Sequence, residues 1–316
     1  MEKRLILLIT IMMSLIGCNE SNNLENGGYL TFTLTYEELD REQNPVFFSD
    51  IYSIDLQNKQ PLLKSTVPYE RDYPLGIYYL MLNSIIYSGI SVDYSGNQIW
   101  IKNLKDDSLK RLTDNFAYLV FLQPVSNNVL LVGGVLMGAP TNAVNLFELD
   151  VNTGQHTQLD LDEDIDVRHL SFNSKNDSIV FVGYSYSELR KRLTEQETVP
   201  FEMSENNVFE YKDGLVRELY SFDEEILALF SDEDSLYYRT PYSNTECINI
   251  VSHAPCAGAP EHMIDPYFDP ERRIVYYIDG NSIKSYDFQT ERTTLIFKSQ
   301  KELSTINNMF YVGKDK

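Results

Sequence analysis

Basic charge is what this sequence has least of. It sets 26 Lys and Arg against 47 Asp and Glu, a formal net charge of −21 over 316 residues. Beyond the N-terminus those cations form no stripe. That disfavours a partner held by its phosphate backbone, so no nucleic acid is expected. No apolar run reaches the ~20 residues of a membrane-spanning helix. The four histidines, His156, His169, His253 and His262, include no HExxH motif, so no zinc is expected. There is no G-x-S-x-G elbow and no α/β region to hold one, which weakens any comparison with propeller-containing peptidases. P-loop and dinucleotide fingerprints are missing too. Gly133-Gly134 and Gly138 read as a bend between strands, and no cofactor is expected. Asp160, Asp162, Asp164 and Asp166 alternate. Ile165 stands where a calcium loop requires Gly, and Ser171 where it requires Glu. The run therefore reads as a solvated connection, and no metal site is expected.

What the sequence does contain is a recurring hairpin. In Leu146–Asp160, LFELDVNTGQHTQLD, the residues Phe147, Leu149 and Val151 point one way and Glu148 and Asp150 the other. Gly154 supplies the reversal, because it takes a positive φ at little cost. Similar stretches begin at Ile51, Ile99, Val208, Cys247 and Ile283. In common register they place Asp55, Asn103, Asp150, Lys212, Val251 and Asp287 at equivalent points, with most spacings near 40–50 residues. Strand-rich units of about that period are β-propeller blades, so six blades are predicted.

Upstream of most hairpins a polar turn leads into an intensely apolar strand. Pro124–Asn128 precedes VLLVGGV, Asn173–Asp177 precedes SIVFVGY, Ser231–Asp234 precedes SLYYRT, and Asp269–Arg272 precedes RIVYYID. This unit resembles the WD40-like repeat of TolB-type propellers, a turn of roughly S-P-D-G-K followed by an apolar strand. Arg111-Leu112-Thr113-Asp114 is similar to that family's blade end. No copy keeps S-P-D-G, and the first strand, from Tyr29, leaves no room for the α/β domain that precedes the propeller in TolB. The resemblance therefore implies a TolB-like propeller and not TolB itself. The fold class expected is all-β, a six-bladed β-propeller closed by N- and C-terminal strands. The C-terminal strand Ile306–Val312 is predicted to complete the first blade, which removes free sheet edges. A short helical insertion is predicted near 187–196, where helix formers follow Ser187.

The N-terminus has Lys3 and Arg4, an apolar run from Leu5 to Ile16, then Leu15-Ile16-Gly17-Cys18. This resembles the signal peptide and lipobox of bacterial lipoproteins. The resemblance implies that Cys18 is acylated and becomes the mature N-terminus, with residues 1–17 removed, 18–27 a flexible tether and 28–316 a single propeller domain. Several acyl chains at ~0.8 kcal/mol per buried CH₂ hold a protein to a bilayer where one chain is marginal. Asn19 follows the Cys in place of Asp. By the enteric rule that implies the outer membrane, facing the periplasm.

The remaining cysteines are Cys247 and Cys256. With Ser252–Pro255 as the turn, Val251 faces Cys256 and Cys247 lies roughly 13 Å away, at ~3.3 Å per residue. A disulfide needs Cα atoms within about 7 Å, so none is expected on that register.

Loops between second and third strands share one rim with the connections between blades, and the longest insertions gather there. Tyr94, Tyr184, Tyr186 and Tyr242 fall in these rim loops and are the candidate binding residues. The expected function is a monomeric, membrane-anchored module binding an envelope protein or peptide. The alternative is a propeller enzyme of lyase, lactonase or cyclotransferase type, with scattered acids and histidines converging on the axis.

Overall fold

A computed structural model of the chain describes residues 28–68, 75–90, 96–126, 128–173, 178–194, 206–259 and 262–312. Its strands form six antiparallel sheets. The first blade joins β23 (Thr305–Val312), β1 (Tyr29–Leu39), β2 (Pro45–Asp55) and β3 (Pro61–Pro68). The second holds β4 (Gly76–Tyr79), β5 (Ser84–Ile90), β6 (Asn97–Asn103) and β7 (Leu109–Arg111). The third holds β8 (Phe116–Ser126), β9 (Val129–Leu136), β10 (Asn145–Asp150) and β11 (His156–Gln158). The fourth holds β12 (Ile165–Asn173), β13 (Ser178–Ser185), β14 (Asn206–Lys212) and β15 (Leu215–Phe222). The fifth has β16 (Ala228–Asp232), β17 (Ser235–Arg239) and β18 (Glu246–Asn249). The sixth has β19 (Ile264–Asp269), β20 (Ile274–Asp279), β21 (Ser282–Asp287) and β22 (Arg292–Lys298).

The apolar strands explain the stacking. β13 is buried on both faces from Ser178 to Tyr184, because a sheet packs on each side of it. β22, the outer strand of its blade, is exposed over Arg292–Leu295. Apolar clusters fill the spaces between neighbouring blades. Ile77, Ile86 and Ile99 meet Phe116, Leu130 and Phe147 between the second and third. Tyr276, Ile278 and Ile283 meet Leu30, Phe32 and Ile54 between the sixth and first. Each fully buried Phe or Ile contributes about 1.5–3 kcal/mol relative to exposure, so the core is a ring of seams and not one central mass.

The ends close that ring. β23 pairs antiparallel with β1, Tyr29 facing Val312 and Thr35 facing Thr305. The last strand is thus the innermost strand of the first blade. β1 then reaches the second blade through side chains. Thr33 Oγ1 donates to the Gly76 carbonyl at 2.9 Å, and Thr31 Oγ1 accepts from the Tyr78 N–H at 2.8 Å.

The recurring hairpin is the third-to-fourth strand turn, and it is built by one device. Oδ1 of Asp55, Asn103, Asp150 and Asp287 accepts the backbone N–H two residues on, at 2.7–2.9 Å. In the fourth blade Asp213 (φ 52°) and Gly214 (φ 77°) make the two-residue turn instead. Gly154 has φ 81°, as its place in the third hairpin requires.

The fifth blade corrects the expectation about cysteine. Its turn residue is Asn249, whose Oδ1 accepts from Val251 and Ser252 at 3.1 and 2.8 Å. The turn therefore lies two residues earlier than an alignment on Val251 puts it. Ile248 bridges Pro255, and Cys256 donates its N–H to the Cys247 carbonyl at 3.0 Å. The two Cα atoms stand 5.0 Å apart and the side chains form a disulfide. Hairpin and disulfide coexist. The covalent bond holds an irregular segment along the edge where other blades have a fourth strand.

Two smaller differences concern β2 and the insertion. Pro45–Phe48 and the strand starting at Ile51 are one continuous strand, paired with β1 from Leu39 inward. The helix α1 spans Tyr186–Thr194, and 195–196 lie outside the described residues. Among the described residues no helix is long and apolar enough to cross a membrane.

Candidate functional site

The six inner strands β23, β4, β8, β12, β16 and β19 surround an axial cavity of about 320 Å³. Its wall mixes apolar side chains such as Phe121, Leu229 and Phe310 with Gln123, His169, Asp265 and Asn308.

A regular strand would present alternate residues to the axis. Four of the inner strands depart from that by carrying bulges. The register slips between Leu119 and Phe121 in β8, between Val167 and His169 in β12, and between Ile264 and Tyr267 in β19. In β23 it slips at Asn308–Met309, opposite Phe32. The inserted residues Val120, Arg168, Asp265 and Asn308 all line the cavity. Bulges re-aim side chains in this way. Asp265 (φ 43°) and Asn308 (φ 54°) are left-handed, a conformation Asp and Asn adopt at least cost among residues with a Cβ.

Most donors around the cavity are spent on the protein. Asn308 Nδ2 donates to the Gly76 carbonyl at 2.8 Å, and Gln123 Nε2 to the Tyr267 hydroxyl at 3.2 Å. Arg239, behind the wall, donates from Nε to the Met263 carbonyl at 2.9 Å and from Nη1 to His262 Nε2 at 2.8 Å. Arg168 Nη2 is 2.8 Å from Asp166 Oδ2, with the guanidinium over the Tyr184 ring.

Electrostatics follow from enclosure. His169 is pushed down to about 4, by burial first and then by Arg168 and Arg239, so its imidazole is neutral at neutral pH. Burial raises the Asp265 carboxyl, and the Arg239 charge opposes the shift. Asp265 is exposed at the cavity wall. Burial also pushes Tyr267 up to about 12.

The predicted rim residues are spread out. Tyr184 is buried beneath Arg168, and burial raises its hydroxyl to about 12. Tyr186 opens α1, and its hydroxyl accepts from the Asn142 N–H at 3.3 Å. Tyr118, also on this rim, donates to the Asn142 carbonyl at 2.6 Å. Tyr242 stands alone on the fifth blade, 96% exposed. Tyr94 and Cys18 lie outside the described residues.

The alternating acids order the rim. Asp164 caps α1 by accepting the Ser187 N–H at 2.7 Å, and Asp166 accepts the Val144 N–H at 3.0 Å. Asp166 is buried, contrary to its reading as part of a solvated loop. Among the described residues no three His, Cys, Asp or Glu side chains gather as metal ligands. Sequence reasoning missed Asp265, Asn308 and Arg239. One signal was available: Pro266 inside a strand pattern, which marks a bulge.

No protein-family model matches the sequence, and no curated protein matches it. Solved structures do. TolB from Acinetobacter baumannii matches with TM-score 0.53 and 16% identity, covering 90% of this chain and 66% of TolB, so the chain spans about two thirds of that protein's length. A chain of a nidogen/laminin complex gives TM-score 0.59 at 10% identity, covering 92% of this chain and 100% of that one. The β-propeller domain of the Trilobed protease from Pyrococcus furiosus gives TM-score 0.49 at 12% identity, covering 85% and 80%. At these identities the first two matches speak for the propeller fold alone.

Proposed function

We propose that this chain is a lipid-anchored protein of the bacterial cell envelope whose propeller docks a protein or peptide partner on its upper face. That face carries the connections between blades and the loops between second and third strands. The address rests on Leu15-Ile16-Gly17-Cys18 and on the short apolar run before it. With Asn19 after the Cys, the outer membrane facing the periplasm is the site this reading favours.

One observation carries the docking role. Tyr242 (96% exposed) and Leu303 (88%), the two most exposed large apolar side chains among the described residues, stand on the upper face with Leu39 and Phe47, whereas the lower-face turns carry Leu215 (73%), Val251 (70%) and Met81 (63%). Tyr242 and Leu303 sit on connections outside the blade strands, while Leu39 and Phe47 stand at the adjoining ends of β1 and β2. The test is capture from detergent-solubilised envelope with the full chain as bait. The reading expects a reproducible partner that is lost with Tyr242→Ala and Leu303→Ser. It expects palmitate labelling that disappears with Cys18→Ser. Capture unchanged by the two surface substitutions contradicts the docking face, and unlabelled protein contradicts the anchor.

A rival reading, an axial enzyme, draws on the fact that His169 and Asp265 face the same cavity. It requires turnover of a small substrate that falls at least a hundredfold, about 2.7 kcal/mol, in both His169→Gln and Asp265→Asn. Equal turnover in the two variants eliminates it.

A further inference from the structure

We propose that the axial cavity binds a primary ammonium group on an aliphatic stem, with Asp265 as its counter-charge and Asn308 and His169 as acceptors. The inference starts from an imbalance. Asp265 lines the cavity with no hydrogen bond and no ion pair among the described residues. A carboxylate in a cavity wall with no protein partner keeps its acceptor positions open to a ligand. Arg239 lends its charge without a hydrogen bond to Asp265; its Nε and Nη1 donate to Met263 and His262. The carboxylate is held in place by a bulge and a left-handed backbone, features that a strand keeps only when the surroundings impose them.

The neighbours also offer acceptors. Asn308 meets a carbonyl, so its amide nitrogen must be the atom facing Gly76, and Oδ1 is left as the acceptor. His169 has no hydrogen-bond partner among the described residues, and as a neutral imidazole it carries one acceptor nitrogen. An ammonium has three donors and no acceptor, which matches this set. Around them Leu75, Phe121, Leu229 and Phe310 give a stem apolar contact, and 320 Å³ is at the small end of ligand pockets, about 300–1,000 Å³.

Two other classes fit less well. A divalent cation would find one carboxylate and no cluster of three ligating side chains among the described residues. An anion would sit beside Asp265, while Arg168 is already paired with Asp166 and laid over Tyr184.

The ammonium has two possible sources, a lysine side chain of a docked partner or a free aliphatic amine. Only the lysine source rests on the docking role proposed above. A free amine fills the cavity whether or not a protein docks.

The test is calorimetric titration of the full chain in detergent micelles with n-butylamine, butan-1-ol and butyrate. The amine is expected to saturate with a Kd on the order of 1 mM, and the alcohol and acid to bind at least about tenfold more weakly. Asp265→Asn, which suits the left-handed backbone, should weaken the amine at least about tenfold while far-UV circular dichroism is unchanged. Should that variant fail to fold, the comparison of amine with alcohol on the unaltered chain decides. Butan-1-ol or butyrate binding as tightly as the amine overturns the proposal, and so does unchanged affinity in Asp265→Asn. Release of a captured partner by n-butylamine assigns the lysine source; binding without release assigns the free amine.

Discussion

Cys256 donates its backbone N–H to the Cys247 carbonyl at 3.0 Å and is disulfide-bonded to the same residue. One pair of residues therefore supplies both a ladder-type hydrogen bond and a covalent clip at the edge of a blade with three regular strands. Cys247 shares an apolar cluster with Met263, which lies two residues before Asp265.

Removing this clip should loosen the fifth blade. Closing a loop of this size contributes about 2–3 kcal/mol in the chain-entropy account. Cys247→Ser with Cys256→Ser should lower stability by roughly that amount, and reductant should do the same to the natural chain. Urea unfolding with and without reductant measures it. A midpoint indifferent to both changes refutes the role given to the bond.

Gly154 is fixed by its backbone and by its neighbour. It has φ 81°, and a Cβ there would stand 2.3 Å from the Leu112 carbonyl oxygen of the adjoining blade. Gly154→Ala should therefore cost about 1–3 kcal/mol, from left-handed strain and displacement of that carbonyl. Gly214, also left-handed but in open space, provides the control. Gly214→Ala should cost less, about 1 kcal/mol. Thermal unfolding of the two variants checks the order.

The hairpins were legible for a physical reason. Alternation of apolar and polar residues survives in outer strands, and Asp or Asn at a turn bonds its own backbone. Asp55, Asn103, Asp150 and Asp287 could be read that way. Spacing alone puts the fifth turn at Val251, whereas Asn249 carries the amide that makes it. The axial residues were not legible. Bulges at Arg168, Asp265 and Asn308 break the alternation on which strand reading depends, and they do so where side chains from different blades converge. Tyr184 looked like a loop residue, yet it completes β13 and packs under Arg168.

Asp265 gives a pH prediction with a definite sign. Its carboxyl is raised in the folded chain, so the fold holds its proton more tightly than the unfolded chain does. Its contribution to stability is complete below the unfolded pKa, near 3.9, and is lost as pH rises through the folded value. Asp265→Asn should accordingly be more stable than the natural chain at pH 7, with the difference shrinking below about pH 4. Unfolding of both proteins across that range measures it. A difference of the opposite sign at pH 7 contradicts an unpaired carboxylate.

His169 should behave in the other direction. Its folded pKa is depressed to about 4, so the stability it brings is present above the unfolded value, near 6.5, and is lost as pH falls toward the folded one. Its ring protons should show no titration by NMR between pH 8 and pH 5. A midpoint near 6.5 for His169 would mean the cavity is open water.

The direct test of the docking face is site-specific photo-crosslinking in living cells. A photoreactive residue in place of Tyr242 samples the upper face, and one in place of Met81, 63% exposed in the turn between β4 and β5, samples the lower. The account predicts a discrete protein adduct from position 242 and none from position 81. Adducts from 81 alone, or equal adducts from both, would contradict it.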